Sequence, residues 1–435
     1  MRHTAGNVDL TPFIDFKEAL GVWLKIGCLG FGGPAGQIAL MHRILVDEKK
    51  WVEESRYLHA LNFCMLLPGP EAQKLATYVG WLLHGTRGGL AAGILFVLPG
   101  ALIMLAVSLL YVMGQGIPAV DGALFGIKAA VLVIEIEALL RIGRRGLKTR
   151  LLLGVAAAAF VGIFFFDLPF PLIVAAAGAI GFFTTIDNNS VQRTENPGAW
   201  RQSVRAALVG LGLWLAPIAL VLLTFGTGHV LLDIAAFFSK LAVVSFGGAY
   251  ALLAYMAQQA VESYAWMSAP EMVDGLGLAE TLPGPLIKVT QFVGFLAAYR
   301  DPAPFSPIVA AVVGAALTTW VTFTFPMMLI FAGAPFIEQL RSKARLSGAL
   351  TAITAAVVGV ILNLTLWFAL HVLFARVEEA RAGPLRWYAF DPATLDWKAA
   401  VLALVAALLM LRLHRGLVET VAVMAFAGML SRLLH

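Results

Sequence analysis

The chain has 435 residues, 60% of them hydrophobic and 13% charged, with a formal net charge of +5 and a mean hydropathy of +0.84. Soluble globular domains run near about 45–50% apolar and about 25% charged, so this composition excludes an ordinary soluble domain and points to a polytopic membrane protein. The two cysteines, Cys28 and Cys64, lie in apolar segments and provide neither a disulfide framework nor a metal-ligand spacing. No Walker loop, dinucleotide fingerprint or nucleic-acid motif is present, so an ATP-driven pump is not expected, nor is a cofactor, a metal centre or an enzyme.

In chain order, residues 1–11 are polar and no short apolar run with a small-residue cleavage site follows them, so a signal peptide is not expected. Residues 15–30 and 35–46 then flank the sequence FGGP, and 57–67 and 71–84 flank PGP. Pieces of 11 to 16 residues, at about 1.5 Å per residue, are shorter than a bilayer core of about 30 Å. Each pair is therefore expected to enter the membrane, turn at the break and leave again. Such re-entrant hairpins are tolerated where the broken backbone is buried in protein or lines a wet cavity. Long apolar runs follow at 89–113 and 151–166. Between them lies 129–140, apolar except for Glu135 and Glu137. A polar loop, 187–202, and one apolar helix at about 205–225 precede a second series.

That second series restates the first. At an offset of 215 positions Lys25 falls on Lys240, Phe31-Gly32-Gly33 on Phe246-Gly247-Gly248, Trp51 on Trp266, and Leu67-Pro68-Gly69-Pro70 on Leu282-Pro283-Gly284-Pro285. Further on, a gapped match pairs 129–140 with 355–366. The expected organisation is a first repeat at 1–186, a linker with an extra transmembrane helix at 187–227, and a second repeat at 228–435.

One added crossing inverts the second repeat, and the lysine and arginine distribution tests this, since those residues accumulate in cytoplasmic loops. Arg43, Lys49, Lys50 and Arg56 surround Trp51, whereas 262–280 around Trp266 has no basic residue. Arg141, Arg144, Arg145, Lys148 and Arg150 crowd another loop of the first repeat. The signs reverse for 113–121 against Arg341, Lys343 and Arg345, and for 167–171 against Arg412 and Arg415. The stretch 376–398 fits poorly, because it should be external yet carries three arginines. The balance favours inverted repeats with the N-terminus cytoplasmic and the C-terminus external.

Inverted repeats built from interrupted helices place a substrate near the midplane where the repeats meet. Glycine permits a tight turn, proline suits the first turn of the next helix, and the free N–H groups at that helix start favour an anion. The substrate-binding candidates are accordingly Gly32, Gly33, Pro34, Pro68, Gly69, Pro70, Gly247, Gly248, Pro283, Gly284 and Pro285, with Lys25, Lys74, Lys240 and Lys288 as nearby cations. Snorkelling to an interface is the alternative for any of these lysines. Glu71, Glu135, Glu137 and Glu280 are candidates for a proton carrier or an ion pair, and the sequence leaves that choice open.

The segments "KIGCLGFGGPAGQIALMH", "LNFCMLLPGPEAQKLATYVGWLLHG", "SFGGAYALLAYMAQQAV" and "LAETLPGPLIKVTQFVGF" resemble the signature segments of the chromate ion transporter (ChrA-like) family, in order and in both halves, as in its long two-domain members. The resemblance implies an all-α polytopic fold of about thirteen membrane segments in the bacterial inner membrane, exporting chromate and handling the analogous sulfate. The expected partners are such an anion and the lipid bilayer, with a homodimer left open and no nucleic acid. Export would draw on the membrane potential, a proton gradient or both. An oxyanion channel and a sulfate uptake transporter are the alternatives.

Overall fold

Glycine and proline interrupt the apolar segments where the sequence reading expects. In the computed structural model, which describes residues 14–433 except 32, 186–196, 247–248 and 335–343, α1 (Phe16–Leu29) and α2 (Gly33–His42) flank the first break. α3 (Glu54–Leu66) and α4 (Glu71–Gly114) flank Pro68-Gly69-Pro70. α4 breaks again at His84 and Gly85, leaving a short limb, 71–83, and a long one, 86–114. After α5 (Pro118–Gly146), α6 (Arg150–Phe166), α7 (Phe170–Thr184) and α8 (Pro197–Phe225), the order resumes with α9 (Val230–Val244), α10 (Ala249–Gln258), α11 (Ala269–Thr281), α12 (Val289–Arg300) and α13 (Pro307–Gly333). α14 (Ala344–Leu373), α15 (Trp397–Ala407) and α16 (Leu417–Leu433) complete the chain. Gly32, Gly247, Gly248, Arg341, Lys343 and most of the loop 187–202 lie outside the described residues.

Details of backbone geometry coincide at positions 215 apart. π-helical turns occur at Arg43–Glu48 and Gln259–Ser263. Left-handed residues follow at Lys50 and Ala265, and again at Gly69 and Gly284. α4, α8, α13 and α14 each contain a stretch long and apolar enough to cross a membrane, while α6 and α7 are shorter apolar helices.

The packing exchanges elements between the two halves of the chain. α5 packs on α15 and α16, and α14 packs on α6 and α7. Small residues allow these helices to approach closely: Gly126 lies against the Met424 carbonyl, Gly181 against Gly348, and Gly359 against Ala156. Similarly, Gly27 lets α1 rest on the Leu95 carbonyl of α4, one turn before Pro99, whose missing N–H leaves that acceptor free.

The stretch 376–398 is a hairpin rather than a plain loop: β1 (Val377–Ala382) pairs antiparallel with β2 (Leu385–Phe390). Its arginines have specific partners. Arg386, 1% exposed, donates to the carbonyl of Ile163 at 2.8 Å and lies 3.1 Å from Asp167, 3.4 Å from Glu262 and 3.8 Å from Glu379. Arg381 reaches Asp167 at 3.1 Å and Glu379 at 2.5 Å. Two of the three arginines that fit the charge count poorly are thus held in ion pairs, which the count does not register.

Candidate site at the crossed helix breaks

The two Pro-Gly-Pro breaks dock on opposite halves of the chain. The N–H of Gly69 donates to the carbonyl of Ser245 at 2.9 Å, and the N–H of Gly284 donates to the carbonyl of Gly30 at 2.9 Å. Ser245 stands 215 positions after Gly30, as Gly284 stands after Gly69, so one bond is the counterpart of the other. Each tip is buried at its first proline and glycine.

The long helices are shaped to receive the tips. Gly69 rests on Pro326 of α13, and Gly284 approaches Gly100 of α4, which is next to Pro99. Prolines inside these helices remove a donor from the ladder and leave carbonyls to be satisfied from outside. Buried amides meet acceptors nearby: Gln73 Nε2 donates to the Phe323 carbonyl at 3.0 Å and Gln291 Nε2 to the Ala101 carbonyl at 2.9 Å. Gln37, 1% exposed, donates to the carbonyls of Gly30 at 3.1 Å and Gly284 at 2.7 Å, tying one break to the other. The sequence reading missed these three glutamines, although a polar amide within an apolar run was the available signal.

The lysines fall into two groups. Lys74 and Lys288 are both 1% exposed. Lys74 Nζ donates to the Leu67 carbonyl, and Lys288 Nζ donates to the carbonyls of Ala279, Leu282 and Gly284 at 2.8, 3.0 and 3.3 Å. These ammonium groups neutralise the carbonyl ends of α3 and α11 and hold the breaks in shape. Lys25 and Lys240 are exposed, and Lys240 Nζ contacts the Tyr255 hydroxyl at 3.1 Å.

The helix starts after the tips lack side-chain caps. Pro70 precedes α4, and Pro285 precedes the 3₁₀ turn Leu286–Lys288 that leads into α12, and neither supplies a capping bond. Uncapped N–H groups at a helix start, together with its dipole, suit an anion. Pro34 lies half-buried in the first turn of α2. Of the acids, Glu71 is half-buried in the first turn of α4, Glu137 lies 3.9 Å from Arg141, and Glu135 and Glu280 are buried. A further buried group escaped the sequence reading: Asp274 of α11 accepts from Tyr111 of α4 at 3.0 Å and pairs with Lys128 of α5 at 3.0 Å. Among the described residues no group of three or more His, Cys, Asp or Glu side chains could hold a metal ion.

A predominantly helical, multi-pass membrane protein whose interrupted helices meet at their breaks is the class that this fold and site define. The family model for the chromate transporter matches residues 18–182 and 232–431, and the chain belongs to that family of transporters. It is 33% identical to a chromate transport protein of Pseudomonas aeruginosa, over 80% of each chain. It is 27% identical to a probable chromate transport protein of Synechococcus elongatus, over 83% of this chain and 86% of the relative. With a chromate transport protein of Cupriavidus metallidurans the identity is 26%, over 82% of this chain and 83% of the relative. No solved structure matches.

Proposed function

We propose that this protein is a secondary transporter that exports chromate, and sulfate-like oxyanions of the same shape and charge, across the bacterial inner membrane. The observation that carries this reading is the reciprocal pair of bonds, Gly69 N–H to Ser245 and Gly284 N–H to Gly30, which joins two uncapped helix starts across the halves of the chain. Residues 1–186 and 228–435 act as inverted repeats about this crossing, with 187–227 supplying the odd helix among about thirteen membrane segments. Helix N-termini and the glycine and proline tips take the place of water around a tetrahedral dianion, whose desolvation is costly unless many donors are offered.

Outward movement follows from charge. A dianion leaving a cell that is negative inside gains about 2.3 kcal/mol per charge per 100 mV, or about 4.6 kcal/mol, about three decades of concentration ratio. Flux of labelled chromate and sulfate in proteoliposomes, with potential and pH gradient imposed separately, tests the reading. Chromate flux driven outward by an interior-negative potential is expected, and stepwise single-channel conductance would replace the transporter with a channel.

The orientation has its own support. Asp167 and Glu262 come from segments that the charge count assigns to the external face, Arg386 from a stretch that the inverted-repeat scheme puts there, and the three meet in one ion-pair cluster. A reporter at Arg144 is expected on the cytoplasmic side and one at Ala265 on the external side. Accessibility labelling that places the Trp51 and Trp266 loops on one side would sink the inverted arrangement.

Lys25 and Lys240 are assigned to the approach path of the anion, as exposed cations at matching positions. Lys25→Met and Lys240→Met, combined, are expected to lower chromate flux several-fold while membrane insertion is unchanged. Equal flux in the double variant would leave both as interfacial lysines.

A further inference from the structure

Glu135 stands in α5 with no exposure, and neither of its carboxyl oxygens has a hydrogen-bond partner among the described residues. A carboxylate without donors in a dry interior is costly to keep charged. α11 packs along α5, with Asp274 3.0 Å from Lys128 and Gly277 against Ile127 and Val131, so Glu280, buried one turn further along α11, comes level with Glu135, one turn further along α5. The Lys288 ammonium group holds the carbonyls of Ala279, Leu282 and Gly284, the first of which directly precedes Glu280 in the chain. Three ionisable side chains thus lead from α5 to the second Pro-Gly-Pro tip.

Several other ionisable groups on elements packed against α5 have partners of their own. Asp274 is held by Lys128 and Tyr111, and Glu137 faces Arg141. On α14, Arg345 lies over Phe182 and His371 against Trp367. On α16, Glu419 pairs with Arg415 and Arg432 lies over Phe125. Lys398 stands in the first turn of α15, and Arg412 ends the π-helical turn after it.

The chain of charges occurs once. The positions 215 before Glu280 and Lys288 are Met65 and Gln73, and the gapped match puts Ile361 opposite Glu135. The corresponding tip has Lys74 on the Leu67 carbonyl and, among the described residues, no buried acid pair. The asymmetry assigns a separate task to the second tip.

We propose that Glu135 and Glu280 form a one-proton site whose occupancy is coupled, through Lys288, to anion binding at the Pro283-Gly284-Pro285 tip. Two carboxyl groups sharing a dry site cannot both be ionised without a nearby cation. When the pair takes a proton from the aqueous phase, Lys288 stays on the tip carbonyls and its positive charge favours the anion. When the pair loses that proton, the doubled negative charge draws Lys288 toward Glu280, and the tip loses both its cation and its carbonyl ties. Anion binding is therefore accompanied by uptake of one proton, and a dianion so accompanied still carries net negative charge.

The inference rests on the reading that the tips bind an oxyanion, and the test separates the two. Chromate binding to the purified full chain is measured across pH beside Glu135→Gln and Glu280→Gln, with release or uptake of protons followed by an indicator dye. Comparison at equal pH cancels the titration of chromate itself. The expected result is uptake approaching one proton per chromate in the wild type beyond that of the free anion, and affinity falling up to tenfold per pH unit relative to Glu135→Gln. Wild-type binding with no such proton uptake overturns the proton site and leaves the anion site standing. No chromate binding at any pH overturns the reading of the tips. Should the variants fail to fold, proton uptake by the wild type decides alone.

Discussion

Gly69→Ala is expected to lower chromate flux about a hundredfold while the protein still inserts. Gly69 has φ of +104°, where an L side chain is strained by about 1–2 kcal/mol, and its Cβ would overlap the ring of Pro326. Relieving an overlap inside a packed core costs about 1–3 kcal/mol more. The tip must then withdraw from α13, and its N–H leaves the Ser245 carbonyl. At about 1.4 kcal/mol per decade, a displacement of about 3 kcal/mol corresponds to about a hundredfold loss of flux. Gly284→Ala is expected to be milder, because its φ of +93° carries the same strain but its Cβ would meet Gly100 Cα at 3.3 Å and Gly100 N at 3.8 Å, without the overlap found at Gly69. Leu102→Ala provides the control, since Leu102 is 57% exposed. Flux assays with insertion monitored by expression in the membrane fraction rank the three variants, and wild-type flux in Gly69→Ala would remove the tip from the mechanism.

Lys288→Met is expected to destabilise the protein and to lower transport by the folded fraction. Three carbonyls, of Ala279, Leu282 and Gly284, lose their shared ammonium donor in a buried setting. A buried acceptor left without a donor costs about 1–3 kcal/mol. Lys74→Met should be gentler, because its ammonium donates to one carbonyl, that of Leu67. Lys288→Gln is expected to recover part of the stability, since Gln73 occupies the position 215 earlier and its amide satisfies a backbone carbonyl there. Thermal unfolding in detergent, followed by flux measurement on the folded fraction, distinguishes these outcomes. A Lys288→Met protein as stable as the wild type would show that water replaces the ammonium group at no cost.

The breaks at 67–70 and 282–285 were legible because proline and glycine act on the backbone at their own positions. An absent N–H and a positive φ need no distant partner, so the short helices, their boundaries and the turns between them follow from local chemistry. Class was legible too, since apolar runs and scarce charge are summed over the chain, and the ordered duplicate motifs carried the family. The hairpin at 377–390 was not, because its arginines read as loop charge until Asp167, Glu262 and Glu379 stand beside them.

Which acceptor each tip finds was decided only in three dimensions. Nothing local to Gly69 names Ser245, and nothing near Gly284 names Gly30 or Gln37. The four lysines looked alike as cations near breaks, yet packing buried Lys74 and Lys288 on backbone carbonyls and left Lys25 and Lys240 exposed. Glu135 and Glu280, far apart in sequence, are both buried on helices α5 and α11 that pack against each other. Amino-acid sequence by itself determined where this backbone breaks and that it belongs in a membrane, since those are properties of single residues and their local sums. Tertiary structure decided what each break and each buried charge meets, because a carbonyl or carboxyl taken out of water is satisfied by whatever group the packing of remote helices delivers to it.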